Sequence, residues 1–155
     1  MRGCAFANWP GKIPAGQRIK EPMHVIDWYP TLVKLAGGSL EQKLPIDGRD
    51  VWPMLTQQAR SPHDAILCVK SPTEAALRVG DLKLVSHSAA VAPNDAQKAR
   101  AKKKARSASE VVELYNLAAD IGETTNLADK EPDRVATMKA QLAELLKNAV
   151  PPLVP

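Results

Sequence analysis

The sequence predicts an α+β fold: a small antiparallel sheet of about four strands, packed by a C-terminal helix and preceded by one more strand and one more helix. Three observations carry this. Short β-prone runs stand at 65–69, 75–79, 82–85 and 111–115. Gly80-Asp81 separates two of them by the two-residue spacing of a hairpin. Val135, Met138, Leu142, Leu145 and Leu146 recur at steps of 3, 4, 3 and 1, one apolar stripe at helical period. The stripe and one face of the sheet each need cover, and each can cover the other.

Taken in order, Ala5-Phe6-Ala7-Asn8-Trp9 is a short apolar run ended by Pro10-Gly11, which predicts a strand leading into a turn. Residues 12–22 are punctuated by Pro14, Gly16 and Pro22 and read as an irregular connection. A short helix follows from Asp27. That carboxylate can accept orphan N–H bonds at the N-terminus, and Pro30 falls in the first turn, where no intrahelical N–H bond is lost. Leu32, Leu35 and Ala36 give its apolar face, and Gly37-Gly38 supplies a left-handed stop.

Residues 39–63 read as a long surface loop, pinned by Val51, Trp52, Met54 and Leu55. The order Gly80-Asp81 suits a type II′ turn, whose first central residue needs a positive φ. Residues 88–109 are dominated by alanine, lysine and arginine, as a flexible insertion or a solvated helix would be. Residues 120–129 are a turn-rich connection, and Pro132 can open the last helix at its first position. Pro151-Pro152 cannot continue it.

Composition narrows the function. The 155 residues are 45% hydrophobic and 25% charged, ordinary for a globular protein. No apolar run is long enough for a membrane span, and no charged-then-apolar segment opens the chain as a signal peptide would. Two cysteines, Cys4 and Cys68, exclude a disulfide framework and a four-cysteine zinc site. The net charge of +4 is local. Lys98, Arg100, Lys102, Lys103, Lys104 and Arg106 are crowded together, and the other 15 basic residues are outnumbered by 17 acidic ones. No aromatic residue interleaves that run, so base stacking has nothing to use, and nucleic-acid binding is not expected.

Reactive constellations are sparse. His24, His63 and His87 are far apart in sequence. The acids at 129–133 begin like a calcium loop, but Arg134 stands where glycine is needed and Ala140 where the closing glutamate is needed. There is no G-x-S-x-G elbow and no phosphate loop. Cys68, inside an apolar strand pattern, reads as a buried, inert thiol, and Cys4 has no base nearby in sequence. Lys12, Lys20 and Arg78 are cations that the sequence leaves to solvent.

Five segments in series carry a family resemblance: Ala5-Phe6-x-x-Trp9-Pro10-Gly11-Lys12-Ile13; His24-Val25-Ile26-Asp27-Trp28-Tyr29-Pro30-Thr31-Leu32 with Leu35-Ala36-Gly37; Leu44-Pro45-Ile46-Asp47-Gly48-Arg49-Asp50 with Trp52-Pro53-Met54-Leu55; Ala76-Leu77-Arg78-Val79-Gly80-Asp81-Leu82-Lys83-Leu84; and Glu113-Leu114-Tyr115-Asn116-Leu117 with residues 120–128. In this order they resemble the C-terminal portion of sulfatases of the arylsulfatase kind. The resemblance covers most of the chain apart from 88–109.

It implies that residues 1–63 are the tail end of the large alkaline-phosphatase-like α/β sulfatase domain, a strand and helix at its edge followed by a loop. Residues 64–150 would then be a C-terminal sheet-plus-helix subdomain carrying a basic insertion at 88–109, and 151–155 a tail. The parent family hydrolyses sulfate esters of aryl or sugar substrates with calcium and a formylglycine made from cysteine in a C-x-P-S-R motif. Cys68-Val69-Lys70-Ser71-Pro72 has similar letters in the wrong order. Arg2 matches the arginine of the family's G-G-x-R-V-P motif, with Gly3-Cys4 in place of Val-Pro.

The resemblance therefore places no catalytic, cofactor-binding or metal-ligating residue in this chain, and implies an inactive part whose partner is a missing N-terminal sulfatase domain. Exposed apolar surface is expected around Phe6, Trp9 and the first helix, where that partner would lie. A non-catalytic module for a sulfated glycan or protein partner is the alternative. The parent family is usually secreted, periplasmic or lysosomal.

Overall fold

A computed structural model of the chain describes residues 3–71, 74–87 and 111–147. It forms two compact units, one up to Asp64 and one from Ala65 onward.

In the first unit, a 3₁₀ turn at Val25–Asp27 runs into helix α1, Trp28–Leu35. Glycine ends it as the sequence leads one to expect. Gly37 takes φ 72°, its N–H donates to the Lys34 carbonyl at 3.0 Å, and the Gly38 N–H donates to the Val33 carbonyl at 2.9 Å. This is the paired-bond stop that satisfies orphan carbonyls. Asp27 does not cap α1; its carboxylate turns inward, away from the helix N–H groups. Thr31, one turn on, takes up the Asp27 carbonyl instead, at 2.7 Å.

The stretch expected to be a long surface loop contains helix α2, Trp52–Gln57. Pro53 sits in its first turn, and Val51, Met54 and Leu55 are buried. Six residues are too few to display a helical period in sequence, although the anchoring residues were the ones expected. Ala5–Trp9 is not a strand: it pairs with nothing among the described residues, and Phe6 is 93% exposed. A strand exists only with a partner to take its backbone groups, and the first unit contains no strand among the described residues.

The second unit is a four-stranded antiparallel meander, in the order β1 Ile66–Ser71, β2 Glu74–Val79, β3 Leu82–Ser86, β4 Val112–Asn116. Gly80 has φ 56° while Asp81 has no positive φ, the asymmetry a type II′ turn requires. Register places Leu67, Leu77, Leu84 and Leu114 side by side across all four strands. Helix α3, Pro132–Lys147, lays Met138, Leu142 and Leu146 against that row. Each leucine so buried contributes about 1.5–3 kcal/mol. Leu145, expected in the stripe, is 40% exposed; the step of one from Leu146 turns it about 100° out of the seam. The basic run at 98–106 lies outside the described residues.

Residues 120–128 do more than turn the chain. The Asn126 side-chain oxygen accepts from the Leu114 N–H at 3.0 Å and the Ala128 N–H at 2.9 Å, and the Leu127 N–H donates to the Leu114 carbonyl at 2.8 Å. They thereby cover the free edge of β4. Glu123, in the left-handed region at φ 55°, reaches the Lys83 ammonium at 2.6 Å.

Candidate functional site

The most heavily built polar cluster of the first unit centres on Asp27, which is fully buried. One carboxylate oxygen accepts from the His24 N–H at 2.7 Å. The other accepts from the Arg49 N–H at 2.8 Å and lies 2.8 Å from His63 Nε2. The Thr31 hydroxyl in turn accepts from the Val51 N–H at 2.9 Å. His24, through its backbone N–H, and His63, through its ring, thus meet on one aspartate. Both oxygens of that aspartate are engaged and neither is open to solvent, so the cluster fastens the 45–63 segment to α1 and leaves no free base or ligand. Gly48 completes the fastening: a Cβ there would collide with the Ile26 carbonyl oxygen.

Beside this cluster is an open depression lined by Pro30, Leu44, Pro45, Ile46 and Arg49, with Glu41 among its polar groups. Trp9 and Trp52 pack with ring centroids 5.6 Å apart, tilted by 58°. Lys12 and Lys20 are exposed, as expected. Arg78 is not left to solvent; its Nε donates to the Gly80 carbonyl at 2.9 Å and braces the hairpin turn.

In the second unit, His87 stands between two carboxylates, Nδ1 at 3.6 Å from Glu74 and Nε2 at 3.4 Å from Glu113. Lys70 pairs with Glu74 at 2.7 Å. Lys70 and, to a lesser degree, His87 hold the Glu74 carboxyl below its ordinary range. Burial, reinforced by Glu113, raises the Tyr115 hydroxyl. The Thr125 and Thr124 N–H groups, each at 2.7 Å, hold the Asp120 carboxyl low against the opposing effect of burial.

Cys68 is exposed, contrary to the buried thiol its apolar neighbours suggest. It lies on edge strand β1 opposite Ala76, on the face away from the leucine row. Cys4 is also exposed. Among the described residues, no three His, Cys, Asp or Glu form a group that could hold a metal ion. The donors present do not fit calcium, since Asp27 is saturated and an imidazole separates Glu74 from Glu113. No helix among them is long and apolar enough to cross a membrane.

No family model matches the chain. Mouse arylsulfatase J is 27% identical over 97% of this chain, which spans only 30% of that protein. Human arylsulfatase D is 45% identical over 41% of this chain and 11% of its own length. Among solved structures, Ps i-CgsB shares the fold with a TM-score of 0.67 at 23% identity, covering 90% of this chain and 27% of its own. The ordered segments read from the sequence, the meander with its packed helix, and these likenesses agree: the chain is similar to a C-terminal portion of sulfatases.

Proposed function

We propose that this chain is the C-terminal part of a sulfuric ester hydrolase of the arylsulfatase kind, whose complete form hydrolyses sulfate esters of aryl or sugar substrates. One observation carries the reading: the likenesses to mouse arylsulfatase J and Ps i-CgsB take in 97% and 90% of this chain but only 30% and 27% of those proteins. In this reading residues 1–63 end the large α/β domain and residues 64–150 form a subdomain that supports the cleft. Hydrolysis at sulfur needs an activated nucleophile, a cation or basic groups facing the sulfate oxygens, and a proton donor for the leaving oxygen. The described residues bring no such set together, so the reacting groups and the calcium belong to the portion of the fold this chain does not span.

The test is an assay of the purified chain on an aryl sulfate with calcium added. The expected result is no turnover above buffer; turnover by the chain alone overturns the supporting role.

A second reading, a binding module for sulfated glycans, is favoured by the exposed cations Lys12, Arg18 and Lys20 in a stretch with no acid before Glu21, near the half-exposed Trp9. A structure of Ps i-CgsB holds k-i-k-neocarrahexaose. Salt-resistant retention on an immobilised sulfated glycan, lost in a Lys12→Ala/Arg18→Ala/Lys20→Ala variant, would move the assignment to this reading.

A further inference from the structure

One end of the sheet gathers charge from every strand. Lys70 of β1, Glu74 of β2, His87 just past β3 and Glu113 of β4 meet there. Glu74 and Glu113 stand on the face opposite the leucine row, the side that α3 does not cover. At this end the backbone is tied by one bond, from the His87 N–H to the Val111 carbonyl at 3.0 Å. The imidazole above that bond has a carboxylate on each nitrogen, Glu74 at 3.6 Å from Nδ1 and Glu113 at 3.4 Å from Nε2.

A neutral imidazole has one N–H and one lone pair. Whichever tautomer forms, one carboxylate faces a donor and the other faces the lone pair. Only the imidazolium donates to both. Each distance is longer than a fully formed N–H···O bond, so both contacts have room to tighten. We propose that His87 is a proton-operated clasp: on gaining its second ring proton it ties β2 to β4 across the end of β3, and on losing it releases one of them.

The charged and titratable neighbours among the described residues fit this role. Lys70 takes the other oxygen of Glu74 at 2.7 Å, leaving one for the ring. With His87 it holds the Glu74 carboxyl below its ordinary range, so that carboxylate is still charged when the imidazole gains its proton. The Tyr115 hydroxyl donates to Glu113 from the same strand and keeps it facing the sheet. The tie is present in acid and lost as the pH rises through the histidine range.

The test is amide hydrogen exchange at His87 in the full chain, corrected for the intrinsic pH dependence. It is read at about pH 8 and about pH 5.5, which bracket the histidine range and stay above that of carboxylates. Protection should rise about two- to fivefold toward acid, the range of an exposed ion pair. His87→Gln, which takes up no proton, should show no rise, and Glu113→Gln, which leaves the ring one carboxylate, should lose most of it. No rise in the unaltered chain, an equal rise in His87→Gln, or an undiminished rise in Glu113→Gln overturns the proposal. If circular dichroism shows that His87→Gln does not fold, the Glu113→Gln comparison decides. Ring ¹⁵N shifts that report protonation between the two pH values, with no change in amide protection, also overturn it.

Discussion

From Ala65 onward the interior is hydrocarbon: Leu77, Leu84 and Leu114 are wholly buried and face Met138, Leu142 and Leu146 of α3. Up to Asp64, a carboxylate and a hydroxyl are among the most buried groups, alongside Val51 and Met54, while Phe6, Val25, Tyr29, Leu32 and Leu44 stay exposed. The sheet and helix cover each other's apolar faces, and Val69, Val111, Ile121 and Leu145 stay exposed around them. The first unit is held by directional bonds on Asp27, and those fix a shape without consuming its apolar side chains. A unit that leaves this many apolar groups outside is one built to be covered.

Separate optical signals make the contrast breakable. All three tryptophans, 9, 28 and 52, lie in the first unit. Leu84→Ala opens a cavity in the middle of the leucine row and should cost about 2–5 kcal/mol. In urea, circular dichroism should show early loss of the sheet while tryptophan fluorescence keeps its midpoint. Coincident shifts of both signals would mean that the units unfold as one.

Asp27→Ala strands the His24 and Arg49 N–H groups and the His63 ring. It should cost about 2–4 kcal/mol, read from tryptophan fluorescence. An effect under ~0.5 kcal/mol would show that the first unit does not depend on this carboxylate. Asn126→Ala releases the Leu114 and Ala128 N–H groups at the rim of β4, for about 1–2 kcal/mol, visible as faster hydrogen exchange at Leu114.

The smallest effect is one of pH. Asp120 has a folded-state pKa below its unfolded one, so its contribution is present above the ordinary carboxylate range and is lost as pH falls through the lowered value. The Thr124 and Thr125 amides should exchange faster only in that acid range, and Asp120→Asn should remove the dependence.

Long, strongly patterned elements were legible in the sequence. The α3 stripe, the Gly80-Asp81 hairpin and the Gly37 stop each depend on local spacing or on a φ that one residue type supplies. What was not legible depends on distant partners. Asp27 looks like a helix cap until Arg49 and His63, 22 and 36 residues away, arrive to compete for its oxygens. Cys68 looks buried because its neighbours are apolar, yet on an edge strand only one face meets the core. Ala5–Trp9 has a strand's composition without a strand's partner. The Asn126 cap and the Glu123–Lys83 pair were hidden because a turn-rich composition does not reveal which strand edge a loop will cover.

β1 has one side without a neighbour in the sheet, and its register breaks between Val69 and Ser71, where Lys70 sits with its side chain 76% exposed. A kinked rim bearing an ammonium group is a poor template for a stranger's backbone. The consequence is colloidal. The polypeptide can remain dispersed while its first unit waits for cover, because the side of the sheet that could otherwise seed fibrils is blunted by one residue and one charge.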